Sequence, residues 1–272
     1  MLYWELNALS DHAAEKKISV KNLLFALLLA VFLAAGVLLV LHLFPFGGDG
    51  PVVPPVSSEP SAPPTQSTGS TAPTLPKNPK DFAALQADNP EIVAWITVPG
   101  TVIDYPIMQS GEDREENYYL TRRPDGSKHK EGSIYIQKIT QPDFSDPNTV
   151  IYGHNMASGR MFAALHKFKK TDFFNKNQYI YIYTPGQILT YRIYSLFVYD
   201  DRHVLNSFNF FDEEEYNAFL QYTLDPTSMT RQVREGVEVT TEDYIITLST
   251  CTNRDKERLL LEGVLIDVQD TQ

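Results

Sequence analysis

Residues 23–41 read LLFALLLAVFLAAGVLLVL, a run with no charged or strongly polar side chain. A bilayer core takes about 20 apolar residues as a helix, so the run is long enough to span one. Leu43 and Phe44 extend it past His42. Lys16, Lys17 and Lys21 precede it, and no Lys or Arg follows until Lys77. By the positive-inside rule the N-terminus is cytoplasmic and everything after Phe46 lies outside. The competing reading is a cleaved signal peptide. Against it, the run exceeds the usual h-region of about 7–15 residues, and no A-x-A cleavage site follows. A lipoprotein is excluded, because no cysteine stands at the end of the run. The expectation is a cytoplasmic tail over 1–21, a single-pass transmembrane helix over 22–46 and an extracellular remainder.

Residues 47–78, GGDGPVVPPVSSEPSAPPTQSTGSTAPTLPKN, have a Pro/Ser/Thr/Gly composition that cannot bury a core. They predict an extended, partly stiff linker over 47–80, which holds a folded domain over 81–272 away from the membrane. Such a domain is of ordinary size for one core, about 150–200 residues. The net charge of −11 argues against nucleic acid as a partner, because phosphate binding needs clustered Lys and Arg.

Within 81–272, apolar runs rich in Ile, Val, Tyr and Thr alternate with turn signals. EIVAWITVPG, TVIDYPIMQ, GSIYIQ, NTVIYGH, QYIYIYTPGQILTYRIYSLFVYD and DYIITLSTC read as strands, and YTPGQI as a hairpin turn. A short helical pattern opens the domain, with Phe82, Leu85 and Ile92 able to share a face. SGRMFAALHKFKK puts Met161, Leu165 and Phe168 at helical spacing. DEEEYNAFLQYTL starts with acidic residues, favourable at a helix N-terminus, and carries a stripe of Tyr216, Phe219 and Leu220. Many strands with a few inserted helices predict a mostly β fold, an antiparallel barrel or sandwich.

The chain has one cysteine, Cys251. One thiol makes no intramolecular disulfide and no cysteine-based zinc site. A lone cysteine is most often buried packing. This one ends a strand, where sites are usually built, and the following TNRDKER brings three cations that favour a thiolate. A thiol nucleophile usually works with a histidine. Of the six histidines, His12, His42, His129, His166 and His203 read as ordinary surface or boundary residues. His154 ends the apolar run TVIYGHN after a glycine, which allows close backbone approach. If the strands ending in YGHN and LSTCTN are neighbours, they present His154 and Cys251 at one edge. Acyl transfer also needs a fixed donor for the oxyanion. Arg258 opens RLLLEGVLI, a strand that would return beside the cysteine strand. Arg254 is closer in sequence and remains the competitor.

With these residues in view, TLSTC followed by RLLLEG, and IYGHNM upstream, resemble the sortase signature. The resemblance runs from about Asp81 to Asp267. NPEIVAWITVPGTVIDYPIMQ, NYYL, EGSIYI and VIYGHNMASGRMFAAL stand in the order found in class B sortases, and the helix before the last strands also fits that class. Sortases are membrane-anchored cysteine transpeptidases of Gram-positive bacteria. The resemblance implies an eight-stranded sortase-type β-barrel with an N-terminal helix and a few inserted helices. It implies His154, Cys251 and Arg258 as the catalytic His, Cys and Arg. It implies Ser249 and Thr250 along the substrate groove, and Met108 as an apolar contact of the sorting peptide. Two departures from the family pattern are visible: the loop between Cys251 and Arg258 is short, and Gln137 stands where an acidic residue is common.

The activity implied is cleavage of a C-terminal sorting motif in a secreted protein through a thioacyl enzyme, then transfer to an amine. The family's acceptor is a peptidoglycan precursor or a pilin lysine, and no cofactor or metal is involved. The acidic DEEE at 212–215 reads as a helix start rather than a calcium site. Two alternatives use the same sequence differently. A Cys–His hydrolase would resolve the thioester with water, and a non-catalytic wall-binding module would keep Cys251 as packing.

Overall fold

The computed structural model describes residues 75–254 and 256–272. The expected cytoplasmic tail and the membrane span over 22–46 lie outside them, as does the linker up to residue 74. Among the described residues no helix is long and apolar enough to cross a membrane.

The chain enters through α1 (Phe82–Asp88), capped by the Asp81 carboxylate, which accepts from Ala84 N. The strands β1 (Ile92–Thr97), β2 (Asp104–Gln109), β3 (Ile134–Ile136) and β4 (Asn148–Tyr152) follow. A 3-10 helix (Phe162–Lys169) and α2 (Thr171–Lys176) lead into β5 (Tyr179–Thr184) and β6 (Gln187–Asp200). Then come α3 (Val204–Ser207), α4 (Glu213–Leu224), β7 (Arg231–Val233), β8 (Ile245–Cys251) and β9 (Glu257–Asp270).

The sheet order is β5-β1-β2-β3-β4-β8-β9-β6-β7, and β5 also pairs with β6. That last pairing closes eight strands into the expected barrel, with the three-residue β7 appended to β6. The closing hairpin turns through Pro185 and Gly186, whose φ of +96° suits glycine. Most neighbours are antiparallel, but β2–β3 and β4–β8 run parallel.

Strand alternation sorts the side chains into two layers. Ala94, Ile107, Ile151, Ile182, Leu248 and Leu261 fill the barrel with residues from the other strands. Val150, Tyr194, Phe197, Ile245, Leu260 and Val264 face outward and pack under Tyr216, Phe219 and Leu220 of α4. A register shift between Ile193 and Ser195 lets both Ile193 and Leu196 face inward on the same strand.

Three expectations change in detail. The segment read as an α-helix around Met161 is a 3-10 helix, because its buried anchors are Phe162, Leu165 and Phe168, spaced by three. Met161 lies just before it with φ at +54°. Ile92 is not on α1: the helix ends at Asp88, and Ile92 meets Leu85 from β1 in a small outer cluster. The fold also begins before the expected boundary at 81. Asn78 is buried, its Nδ2 donates to Thr184 O at 3.0 Å, and its backbone pairs with Gln272.

Candidate active site

The parallel pairing of β4 with β8 sets Tyr152 opposite Ser249. Gly153 N still donates to Ser249 O at 3.1 Å, so the ladder continues past the end of β4. Cys251 ends β8 and His154 follows Gly153, so both stand at the same end of adjacent strands. On the other side of β8, Cys251 is the rung partner of Arg258 on β9. All three line one cleft of about 330 Å³. By alternation Val150, Tyr152, Ser249 and Leu260 share the outward face with this cleft, and Cys251 is exposed in it.

The histidine is held from several sides. Its Nε2 lies 2.7 Å from the carbonyl of Leu120, on a 3-10 helix (Tyr118–Thr121). A carbonyl only accepts, so Nε2 carries the hydrogen and Nδ1 is left for proton exchange. Behind the ring, Phe162 N donates to His154 O at 3.0 Å, and Asn155 bridges to Met161, closing the 155–161 loop. Arg160 of this loop pairs with Glu131 at 3.2 Å. Glu131 is buried and also faces Arg123 and His129, at 3.9 and 3.6 Å. Because Ser133 N bonds Tyr119 O and His129 N bonds Thr121 O, Glu131 ties the histidine's loop to the segment that holds its ring. Gly153 admits no side chain: a Cβ there would lie 2.5 Å from Ile134 Cδ1 and 2.7 Å from Phe162 Cδ2.

Of the two arginines weighed in the sequence, Arg258 lines the cleft and donates to Glu257 O at 3.1 Å. Arg254 has 80% of its side chain exposed and pairs with the Glu257 carboxylate at 2.9 Å. The short loop is sufficient because β8 and β9 pair right up to Cys251 and Arg258.

Ser249 lines the cleft from the cysteine's own face of β8. Thr250 also borders it, but alternation turns its side chain toward the barrel interior, where it is 2% exposed. Its contribution to the cleft is therefore backbone. Met108 is a correction. It has 0% exposure, packed with Ile92, Tyr119 and Tyr135, so it has no surface to offer a peptide. Tyr135, its rung partner, is the residue that reaches the cleft.

Two histidines read from sequence as ordinary come to this site. His166 Nε2 donates to Cys251 O at 3.2 Å, fixing the backbone at the cysteine. Burial, helped by Lys169, pushes its pKa down. His203 lines the cleft, its Nε2 3.2 Å from Tyr152 OH and its ring 5.7 Å from the Tyr152 ring. Burial lowers its pKa too, against an opposing pull from Glu116. Tyr135 stacks on Tyr152 at 5.4 Å, so Tyr135, Tyr152 and His203 form a continuous aromatic wall. Burial raises the Tyr135 pKa to about 12 and that of Tyr152 further still, so both stay neutral hydroxyls. Gln137, the departure from the family pattern, also lines the cleft. Among the described residues no cluster of His, Cys, Asp or Glu is arranged to hold a metal ion.

Two residues beyond Leu260 on β9 lies a buried carboxylate. Glu262 is fully buried between Thr247 and Ser195, and burial raises its pKa to about 8. Thr247 Oγ1 lies 2.7 Å from Glu262 Oε2 and 3.1 Å from Asn148 Oδ1. One hydroxyl hydrogen cannot serve two acceptors. A protonated Glu262 resolves this, donating to Thr247, which donates to Asn148.

The family model described as the sortase domain matches residues 96–266. Sortase B of Listeria monocytogenes is 35% identical over 188 residues, covering 67% of this chain and 72% of that protein. Sortase B of Staphylococcus aureus is 28% identical over 193 residues, covering 69% of this chain and 75% of that protein. Among solved structures, Clostridium perfringens sortase B aligns with a TM-score of 0.61 at 31% identity, covering 69% of this chain and all of that one. The chain belongs to the sortase family, the cysteine transpeptidases that anchor proteins to the cell wall, and within it to class B.

Proposed function

We propose that Cys251, His154 and Arg258 carry a two-step acyl transfer on a sorting motif near the C-terminus of a secreted protein. The Cys251 thiolate attacks a backbone carbonyl carbon, and the carbonyl oxygen becomes an oxyanion that the Arg258 guanidinium stabilises. The tetrahedral intermediate collapses, the C–N bond breaks, and His154 gives a proton from Nδ1 to the leaving amine. The product is a thioester. An acceptor amine then attacks it and loses a proton to His154. The C–S bond breaks and the thiolate returns. The observation that carries this reading is the pair of ladders at Cys251: His154 stands beyond the end of the parallel neighbour, and Arg258 is the antiparallel rung partner.

The groove is the 330 Å³ cleft, with Ser249, the Thr250 backbone and the Tyr135–Tyr152–His203 wall toward the motif. The acceptor is an amine of a peptidoglycan precursor, with a pilin lysine as the other acceptor of this chemistry. The apolar run supports a single-pass anchor over 22–46 with its N-terminus cytoplasmic, and the linker supports an extracellular domain working close to the membrane.

The test is a library of five-residue sorting-type peptides, with an amine acceptor present or absent, read by mass spectrometry. Cys251→Ala and His154→Ala are the controls. The reading requires one motif cleaved by wild type alone and joined to the amine. Free acid as the sole product under every acceptor would replace it with hydrolysis. Turnover by Cys251→Ala would remove the cysteine from the mechanism.

A further inference from the structure

A second cavity, of about 350 Å³, has no lining residue in common with the cleft, but two chain segments run from one to the other. Gln137, His203 and Val204 line the cleft, while Ile139, Thr140 and the segment from Leu205 to Phe211 line the cavity. Val204 and Leu205 are consecutive, and only Lys138 separates Gln137 from Ile139.

The lining mixes polar residues with apolar ones, two of which stand open to solvent. Phe211 is 79% exposed and Ile139 is 74% exposed. Single apolar side chains on a surface are ordinary, but these two converge on one hollow, together with Leu205 and Phe208. The wall also holds unused polar capacity. Thr140 Oγ1 and Asn148 Nδ2 are buried and have no hydrogen-bond partner among the described residues. Buried polar atoms are nearly always paired, so two orphans in one wall are notable. The charge of the lining has one sign: Asp146 and Glu215 belong to it and no Lys or Arg does, while Asp212, Glu213 and Glu214, next in the chain after Phe211, line a separate hollow.

We propose that this cavity extends the substrate groove: it takes an apolar side chain of the sorted polypeptide outside the short motif, with a neighbouring lysine or arginine over the acidic rim. The inference rests on reading the cleft as the groove for the motif. The two connecting segments, Gln137 to Ile139 and Val204 to Leu205, give a chain leaving the cleft a route toward the cavity. The acidic rim selects a cationic segment and disfavours an anionic lipid headgroup.

The experiment uses the full chain, wild type for turnover and Cys251→Ala for binding. The probes are the motif peptide chosen by the library, the same peptide extended on either side by Lys-Phe, and the same extended by Glu-Ser. One Lys-Phe extension is expected to tighten binding to Cys251→Ala by about tenfold, the scale of one apolar side chain entering a pocket. In wild type it lowers KM and leaves kcat unchanged. The gain disappears in a Phe211→Ser, Ile139→Ser double variant, which retains wild-type turnover of the bare motif. Equal affinity for all three peptides, or a gain that survives the double substitution, overturns the proposal. A titration of Gly-Lys-Phe-Gly against Gly-Glu-Ser-Gly, followed by NMR, needs no motif and no turnover. If no motif peptide reacts, the catalytic reading fails, and this titration still decides the cavity: selective shifts at Phe211 and Ile139 support it, and none overturn it.

Discussion

His154 and Cys251 both follow a single rung of the same parallel ladder, the pairing of Tyr152 with Ser249. Two strands that run the same way deliver their next residues to the same edge. Gly153 is the step between the rung and the histidine, and its surroundings leave no room for a methyl group. Gly153→Ala is expected to cost about 1–3 kcal/mol, the range for overpacking a core. It is also expected to lower kcat by at least about tenfold, because the imidazole shifts with the backbone. Thermal unfolding and peptide turnover on the same preparation check both. A variant as stable and as active as wild type would show that the close packing does not fix the histidine.

Arg258 and Arg254 are expected to separate cleanly. Loss of an oxyanion donor costs about 10²–10³ in kcat, so Arg258→Ala should fall by that factor. Arg254 pairs with Glu257 in an open loop, a contact typically worth about 1 kcal/mol or less, so Arg254→Ala should stay within about threefold of wild type. The reverse order in a turnover assay would move the oxyanion role to Arg254.

Glu131 is expected to act through His154. It joins Arg160, on the loop after the histidine, to the segment that carries Leu120. Glu131→Gln should reduce kcat by about tenfold with KM nearly unchanged, the pattern of a misaligned reacting group. Arg123→Met, which removes a partner outside the histidine loop, should leave kcat near wild type. Equal loss in both variants would make the cluster a matter of stability alone.

Glu262 makes stability depend on pH with a defined sign. Its folded pKa is near 8, above the ordinary carboxylate value of 4.5. Between those values the unfolded chain releases the proton and the folded chain keeps it, so stability falls as pH rises. This contribution is fully present below about pH 4.5 and lost as pH passes about 8, with a limiting slope of about 1.4 kcal/mol per pH unit. Denaturant melts across that range should show the decline, and Glu262→Gln should flatten it. An unchanged profile in the variant would assign the slope to other groups.

The catalytic candidates were legible because each marks the edge of an apolar run: YGHN, LSTC and RLLLEG end or begin strands. Their meeting depends on strand order, which no local pattern carries. His166 and His203 stayed hidden for that reason. One reaches Cys251 from a 3-10 helix and the other reaches Tyr152 from a loop, 85 and 51 residues away in sequence. Met108 came from the resemblance alone as a peptide contact, and the burial that removes it, under Ile92, Tyr119 and Tyr135, depends on tertiary packing that no local pattern carries. The α4 stripe was easier, since Asp212 caps it and three buried residues follow at helical spacing.

The pairing of Asn78 with Gln272 has a mechanical consequence. β9 begins at Arg258's end of the barrel and runs 14 residues away from it, roughly 45 Å of strand, before the chain reaches Gln272. Tension arriving along the polypeptide from its N-terminal side therefore enters the fold at the end remote from the thiol. It is borne first by the Pro76 and Asn78 bonds to Gln272 and to Thr184. These can yield while the β4–β8 and β8–β9 ladders around Cys251 carry no load, so a pull from that side would fray the fold there before it disturbed the arrangement of His154, Cys251 and Arg258.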